Sequence, residues 1–221
     1  MALAIDIAPE LQGRVRLGVL VLAGVSVREH DDGLQAEIER YGRELREQHG
    51  GARSAEVPGA AEARALYKDL GLDPTKTRPS SEALLRRVLK GEALYRINTL
   101  VDALNLCSLR AQLPFGLYDL GRVEPPVVLR RGMAGESYEG IRKAVVNVDG
   151  RPVLADARGA FGNPSSDSER TMVRAETAQA LVTVYAPARC ATARLERVID
   201  DTAATLTRFC GGATDFRRVL S

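Results

Sequence analysis

The chain has 221 residues, of which 45% are hydrophobic and 27% are charged, an ordinary composition for one large globular domain or two small ones. The 31 basic residues nearly match the 29 acidic ones, and a net charge of +2 excludes strong long-range attraction to a polyanion. Any RNA contact must come from a local patch, and we expect no DNA partner. Three widely spaced cysteines argue against a disulfide framework and favour a reducing, cytoplasmic setting.

We expect no targeting or membrane signal in the N-terminal region. Asp6 and Glu10 occupy positions where a signal peptide would place positive charge. The longest apolar run, residues 17–27, is far shorter than the roughly 20 residues that span a bilayer. We therefore expect no membrane partner. Neither His30 nor His49 lies at ligand spacing from a cysteine, so we expect no metal and no cofactor.

The first half of the chain begins with a strand and continues as helices. Residues 17–27 are rich in β-branched side chains and predict a buried strand. Apolar residues then recur at helical spacing from Leu34 to Leu45, which predicts a helix ending at Gly50. A second helix is predicted over residues 60–70.

Two further helices follow a segment with two prolines. Residues 73–81 cannot be helical, because proline lacks the backbone N–H and restricts the preceding residue. Ser80 or its neighbour is expected to cap a short helix that stops at Gly91. Asn98 is expected to cap the next helix, which carries an apolar stripe.

The second half of the chain turns to β structure. Residues 127–131, 144–148 and 152–156 alternate like strands, and the Asp149-Gly150 pair predicts a type I′ hairpin between the last two. A Gly-, Ser- and Asn-rich loop is predicted over residues 159–168.

The chain is expected to close with a strand and a helix. Residues 180–185 predict a strand that Pro187 terminates, and the last element is expected to be a helix within residues 190–212. Because helices cluster before Leu109 and strands after it, we predict a single α+β domain over residues 1–221, with mixed or antiparallel sheets packed with helices.

Several polar groups could bind a ligand. The segment 73–81 would bring N–H donors of a helix N-terminus to an anion, beside Lys76, Arg78 and Ser80; the alternative is a capped surface loop. The carboxylates Asp119, Glu136 and Asp156 border apolar segments and could hold an ammonium group, or could be solvated turn residues. No partner base stands at recognisable spacing, so the catalytic residues are unknown from sequence.

Five segments resemble, in the same order, those of the B3/B4 family, the editing and tRNA-binding module of the phenylalanyl-tRNA synthetase beta subunit. They are GLDPTKTRPSSEALLRRVLKG at 71–91, INTLVDALNLCSL at 97–109, LPFGLYDL at 113–120, LRRGMAGE at 129–136 and GNPSSDSERT at 162–171. The resemblance covers residues 71–187, which we take as the core of a freestanding B3/B4-type domain. Residues 1–70 and the C-terminal helix agree with the family in layout only.

The resemblance implies a pocket that admits the aminoacylated 3′ end of a tRNA. In the synthetase this module hydrolyses the ester that links tyrosine to a wrongly charged tRNA. The family is thought to use positioned water and hydroxyls of the substrate for this reaction. By analogy the pocket would be lined by seven residues: Asn98, Asn105, Ser108, Glu136, Asn163, Asp167 and Ser168. The tRNA end would be bound by four others: Lys76, Arg78, Ser80 and Arg170.

Three functions remain open from the sequence. The first is a trans-acting deacylase that hydrolyses mischarged aminoacyl-tRNA. The second is a module that keeps the fold but only binds tRNA, an amino acid or a protein. The third is a hydrolase of some other acyl ester, which the near-neutral charge slightly favours.

Overall fold

The computed structural model describes residues 3–142 and 145–221, which form five helices and eleven strands. The helices are α1 (Asp32–His49), α2 (Ala60–Asp69), α3 (Ser80–Leu89), α4 (Thr99–Ala111) and α5 (Thr192–Cys210). The strands are β1 (Ile5–Ile7), β2 (Val15–Ala23), β3 (Phe115–Asp119), β4 (Val127–Arg131), β5 (Ser137–Glu139), β6 (Val145–Asn147), β7 (Pro152–Asp156), β8 (Gly159–Asn163), β9 (Ser166–Asp167), β10 (Gln179–Pro187) and β11 (Ala213–Leu220).

An antiparallel four-stranded sheet, in the order β11-β2-β10-β3, forms the centre of the fold. In β2, Leu20 and Leu22 pack on a helical layer, whereas Val19 and Val21 pack on the opposite side of the sheet. Both faces are therefore buried, which explains why this strand is continuously apolar in sequence rather than alternating.

A second sheet, in the order β1-β4-β7-β8-β9, covers the other face of the central sheet. It is antiparallel except for the parallel pair β1 and β4. Tyr118 of β3 meets Phe161 of β8 edge-on, with ring centroids 4.9 Å apart. A Cβ at Gly162 would lie 2.4 Å from the Tyr118 hydroxyl oxygen, so only glycine permits this approach. The two sheets thus meet tightly at this seam.

The helices lie on both sides of the central sheet. Helices α1, α4 and α5 bury their apolar stripes in the core that β2 and β10 share. Helix α2 contributes Leu66, Tyr67 and Leu70 to the core between the sheets. Helix α3 packs against α1 and α4 in a smaller cluster. Within the described residues, no helix is long and apolar enough to cross a membrane.

The predicted α+β class is confirmed, and so are most of the regular elements. All five helices form within a few residues of their predicted bounds, and the Asn98 side chain caps α4 as expected. Strands β4 and β7 have the predicted bounds, and β10 contains the predicted strand at 180–185. For the strand predicted at 144–148, Val145–Asn147 is β6, and Ala144 lies outside the described residues.

Four predicted details are wrong. Strand β6 pairs with β5 rather than with β7, so Asp149-Gly150 turns the chain between sheets and not within a hairpin. The predicted loop at 159–168 contains β8 and β9. Strand β11 follows the last helix and pairs with β2. Pro79 is the N-cap of α3, and Ser80 is its first residue without a capping side-chain bond.

Candidate functional site

A cavity of about 720 Å³ opens beside α4, at the edge where the two sheets meet. Its volume lies within the range of about 300 to 1,000 Å³ that is usual for ligand sites. Its floor is apolar and includes Leu104, Phe115 and Leu117, all nearly buried. Polar and charged groups line the rest of the wall: Ser80, Asn98, Asn105, Arg142, Asn163, Ser165, Ser166, Asp167, Glu169 and Arg174.

Helix α4 presents two asparagines to the cavity. Asn98 and Asn105 are about two helical turns apart and so share one face of the helix. Asn98 Oδ1 accepts a hydrogen bond of 2.9 Å from the Val101 N–H, which fixes the side chain at the helix N-terminus. Among the described residues, no protein group bonds to the amide of Asn105. Asn105 therefore offers both a donor and an acceptor to a ligand.

The turn between β8 and β9 forms the opposite wall. Asn163 Oδ1 accepts from the N–H groups of Ser165 and Ser166 at 2.8 and 2.9 Å, and its Nδ2 donates to the Tyr138 hydroxyl at 2.8 Å. The amide of Asn163 is thus committed to holding the turn. Asp167 Oδ2 accepts from the Leu117 N–H at 3.4 Å, which joins the second sheet to the central one beside the cavity floor.

Of the residues predicted to bind the tRNA end, Ser80 lines the cavity, where its hydroxyl donates to the Pro164 carbonyl at 3.1 Å. Lys76 and Arg78 do not line it. Lys76 is exposed on the loop, and Arg78 lies 3.6 Å from the buried carboxylate of Glu82, an i,i+4 pair.

Glu136 does not line the cavity either. Its carboxylate accepts two hydrogen bonds from Arg130, at 2.7 and 2.8 Å, and further bonds from the Met133 and Ala160 N–H groups. The bonds from Arg130 lower the pKa of Glu136 to about 2, against an opposing effect of burial. This residue clamps β4 to the following turn, which differs from the predicted role in a pocket.

Three more residues of the predicted site bond to other groups of the protein and do not line this cavity. The Ser108 hydroxyl donates to the Leu113 carbonyl at 2.8 Å, and the Ser168 hydroxyl lies 3.0 Å from that of Thr171. Both serines are buried outside the cavity. Arg170 makes two bonds of 2.9 Å to Asp156, whose side chain has no exposed surface. These contacts explain polar residues in apolar surroundings without a ligand.

The other carboxylates considered from the sequence are also engaged internally. Burial raises the pKa of Asp156, but hydrogen bonds from Arg170 and two backbone N–H groups outweigh it, so the pKa is lowered. Asp119 accepts from the Gly121 N–H at 3.0 Å and from the Thr177 hydroxyl at 2.8 Å. Neither residue lines the large cavity.

Sequence reasoning missed Arg142 and Arg174, whose side chains line the cavity. The Nε atom of Arg174 is buried and has no hydrogen-bond partner among the described residues. No motif distinguishes either arginine in a chain so rich in arginine, so the sequence carried no signal for them. All three cysteines are buried, and none of them lines this cavity.

Comparison with known proteins places the chain in a family. The crystal structure of an N-terminal fragment of the phenylalanyl-tRNA synthetase beta-subunit from Pyrococcus horikoshii is similar, with 11% identity and a TM-score of 0.49. The alignment covers 100% of this chain and 55% of that one, so the chain spans about half its length. No curated protein matches the sequence. Residues 62–211 match the B3/4 domain, and the chain therefore belongs to the B3/4 domain family.

Proposed function

We propose that the chain hydrolyses the ester of a mischarged aminoacyl-tRNA in trans, within the cavity beside α4. The observation that carries the proposal is the make-up of this cavity, which joins an apolar floor to a polar wall with an uncommitted amide. Such a combination suits a ligand with an apolar side chain and a polar, hydrogen-bonding backbone. Membership of the B3/4 domain family supports it.

Each part of an aminoacyl end has a counterpart in the wall. The amino-acid side chain would lie on the floor formed by Leu104, Phe115 and Leu117. Asp167 would face the α-ammonium group, because a carboxylate can accept about four hydrogen bonds. Asn105 would donate to the ester carbonyl, and Asn98 and Ser80 would border the ribose. The tRNA is thus the proposed partner.

The chemistry would rest on positioning. Neither histidine and none of the three cysteines lines the cavity, so the described wall offers no thiol nucleophile and no imidazole base. A water molecule held near Asn105 would attack the carbonyl carbon, and the new C–O bond would replace the ester bond to the ribose. The leaving ribose oxygen would take a proton, with the neighbouring substrate hydroxyl assisting. The products are a free amino acid and an uncharged tRNA.

The test is release of labelled amino acid from a panel of mischarged tRNAs by the isolated protein. We expect release from at least one tRNA, and a loss of about a hundredfold in rate for Asn105→Ala, the typical cost of removing one donor to a developing oxyanion. Asn147→Ala is the matched control, since Asn147 is exposed on β6. No release above buffer from any tRNA would overturn the proposal.

A second candidate is a module that binds tRNA or an amino acid without turnover. The lack of a thiol nucleophile and of an imidazole base in the described wall favours it. It predicts saturable heat stabilisation by tRNA or by an amino acid, with binding of tRNA falling steeply as salt rises and no release in the assay above.

A further inference from the structure

Arg174 lines two cavities. It lines the large cavity and also a more open one of about 420 Å³, whose wall includes Arg158 and Arg170. Glu169 is the other residue in both walls. A ligand that reaches from one cavity into the other would therefore contact Arg174 or Glu169, the two residues that both walls share.

The backbone of Arg174 is fixed in this place. Its N–H donates to the Thr177 hydroxyl at 2.9 Å, and its carbonyl accepts from the Thr177 N–H at 3.1 Å. The same hydroxyl donates to the buried Asp119 at the end of β3. Two bonds thus fix the loop internally and one joins it to the central sheet, so the backbone that carries the Arg174 side chain is held in place.

The guanidinium of Arg174 differs from those of the neighbouring arginines. Arg170 has the buried carboxylate of Asp156 as its partner, and Arg158 lies 3.6 Å from Glu124. Arg174 forms no ion pair among the described residues, and its buried Nε has no acceptor. A buried donor without an acceptor costs free energy, which an anionic ligand would recover.

A residue in both walls favours an anion that links two parts of a ligand, such as a phosphodiester, over an anion at the end of a ligand, such as a carboxylate. In an RNA end, the phosphodiester on the 5′ side of the last nucleoside joins that nucleoside to the next. If the aminoacylated nucleoside occupies the large cavity and the RNA continues into the second, this phosphodiester would lie beside the residues that both walls share, Glu169 and Arg174. The carboxylate of a free amino acid would instead lie within one cavity, beside its own ammonium group.

We propose that Arg174 binds the phosphodiester between the last two nucleotides of the RNA, and so selects an RNA terminus over a free aminoacyl nucleoside. This inference rests on the proposed function, since it places the aminoacylated nucleoside in the large cavity. A planar guanidinium with several donors is suited to phosphate oxygens. Arg174 acts here as a binding residue and takes no part in breaking the ester.

The test uses two analogues in which an amide replaces the ester. Both carry the amino acid that is released fastest from its tRNA in the panel. One is the 3′-aminoacylamino-adenosine with a free 5′ hydroxyl, and the other is the same compound extended by a 5′ cytidylate. We expect the wild type to bind the extended analogue about tenfold more tightly, as one bond to a charged group provides. Arg174→Met should reduce this preference to about twofold and leave the affinity for the short analogue unchanged.

Arg197→Met is the matched control, because Arg197 is exposed on α5 and lines neither cavity. It should keep the full preference, and Arg174→Lys should keep part of it. Thermal unfolding of each variant checks folding. If Arg174→Met keeps the tenfold preference, or weakens both analogues equally, the inference fails while hydrolysis by the wild type still stands. If no tRNA is hydrolysed, the proposed function fails and this inference falls with it.

Discussion

Glu136 shows how a polar residue beside an apolar segment can have a structural role and no contact with a ligand. Its carboxylate is nearly buried, and two bonds from Arg130 and two from backbone N–H groups satisfy it. Both partners are mostly removed from water, so the loss of either leaves an uncompensated charge. The same arrangement recurs at Asp156 and Arg170. The cavity wall is built from other residues.

The lowered pKa of Glu136 predicts how stability depends on pH. The carboxyl titrates at 4.5 in the unfolded chain and at about 2 in the native protein, where Arg130 favours its charged form. Its contribution is complete above pH 4.5 and is lost as the pH falls towards 2. Glu136→Gln should therefore cost about 2 kcal/mol at pH 7 in urea unfolding, and this cost should decrease only as the pH falls below 4.5.

Glu139→Gln is the control for this measurement. Glu139 is exposed on β5, close in sequence, and forms no ion pair among the described residues. Its substitution should change the free energy of unfolding little at any pH. A difference between wild type and Glu136→Gln that stays constant from pH 7 to pH 3 would show that the ion pair does not carry the effect.

Helix α4 connects the stability of the fold to the candidate site, because its N-cap also lines the cavity. The cap needs only a side-chain acceptor, which asparagine and aspartate provide equally well. The proposed contact with the ribose needs the amide group as a donor. The two roles of Asn98 can therefore be separated by substitution.

Asn98→Ala should lower the free energy of unfolding by about 1 kcal/mol, whereas Asn98→Asp should leave it nearly unchanged. Both variants should lose release of amino acid, since both lack the amide donor. Urea unfolding and the release assay check the two halves of this prediction. Full activity in Asn98→Asp would show that the amide takes no part in binding.

The elements differ in how far the sequence could predict them. The helices were predictable because their apolar residues keep the helical spacing over many residues. Cap residues such as Asn98, Gly50 and Gly91 also mark several of their ends. Strand β9 has two residues and exists because the Asn163 side chain holds the turn that pairs it with β8. Composition alone predicts a loop there, since such pairing is tertiary.

The candidate site shows the same limit. Ser80, Asn98, Asn105, Asn163 and Asp167 were selected through the family resemblance, and the structure brings them to one cavity. Ser108 and Ser168 come from the same segments, but their hydroxyls lie against the Leu113 carbonyl and the Thr171 hydroxyl, and the sequence does not show which partner a hydroxyl takes. Arg174 depends on its fixed loop and on the absence of an acidic neighbour, neither of which is visible in sequence.

At the scale of the whole molecule, the buried cysteines report on global unfolding. Cys107 and Cys190 are 5% exposed and Cys210 is 0% exposed. Burial raises the pKa of Cys107 to about 11 and also raises that of Cys210, which depletes the reactive thiolate. We expect no rapid reaction with a thiol reagent in the native state, and three thiols reacting after unfolding in urea.

Free glutathione in the same buffer serves as the fully reactive standard. The rate of labelling at intermediate urea should follow the unfolded fraction that circular dichroism measures. Rapid labelling of one thiol under native conditions would reveal local opening around that cysteine and would contradict the expected burial.

The seam between the sheets determines how the cavity can change. Its floor includes Leu117 of the central sheet, and its far wall includes Asp167 of the second sheet. A hydrogen bond from the Leu117 N–H to the Asp167 carboxylate joins the two residues. A shift of one sheet over the other would be opposed by this bond and by the close approach of Tyr118 to Gly162. We therefore expect ligand preference in this cavity to depend on which side chains stand along the boundary between the sheets, and not on movement of the sheets.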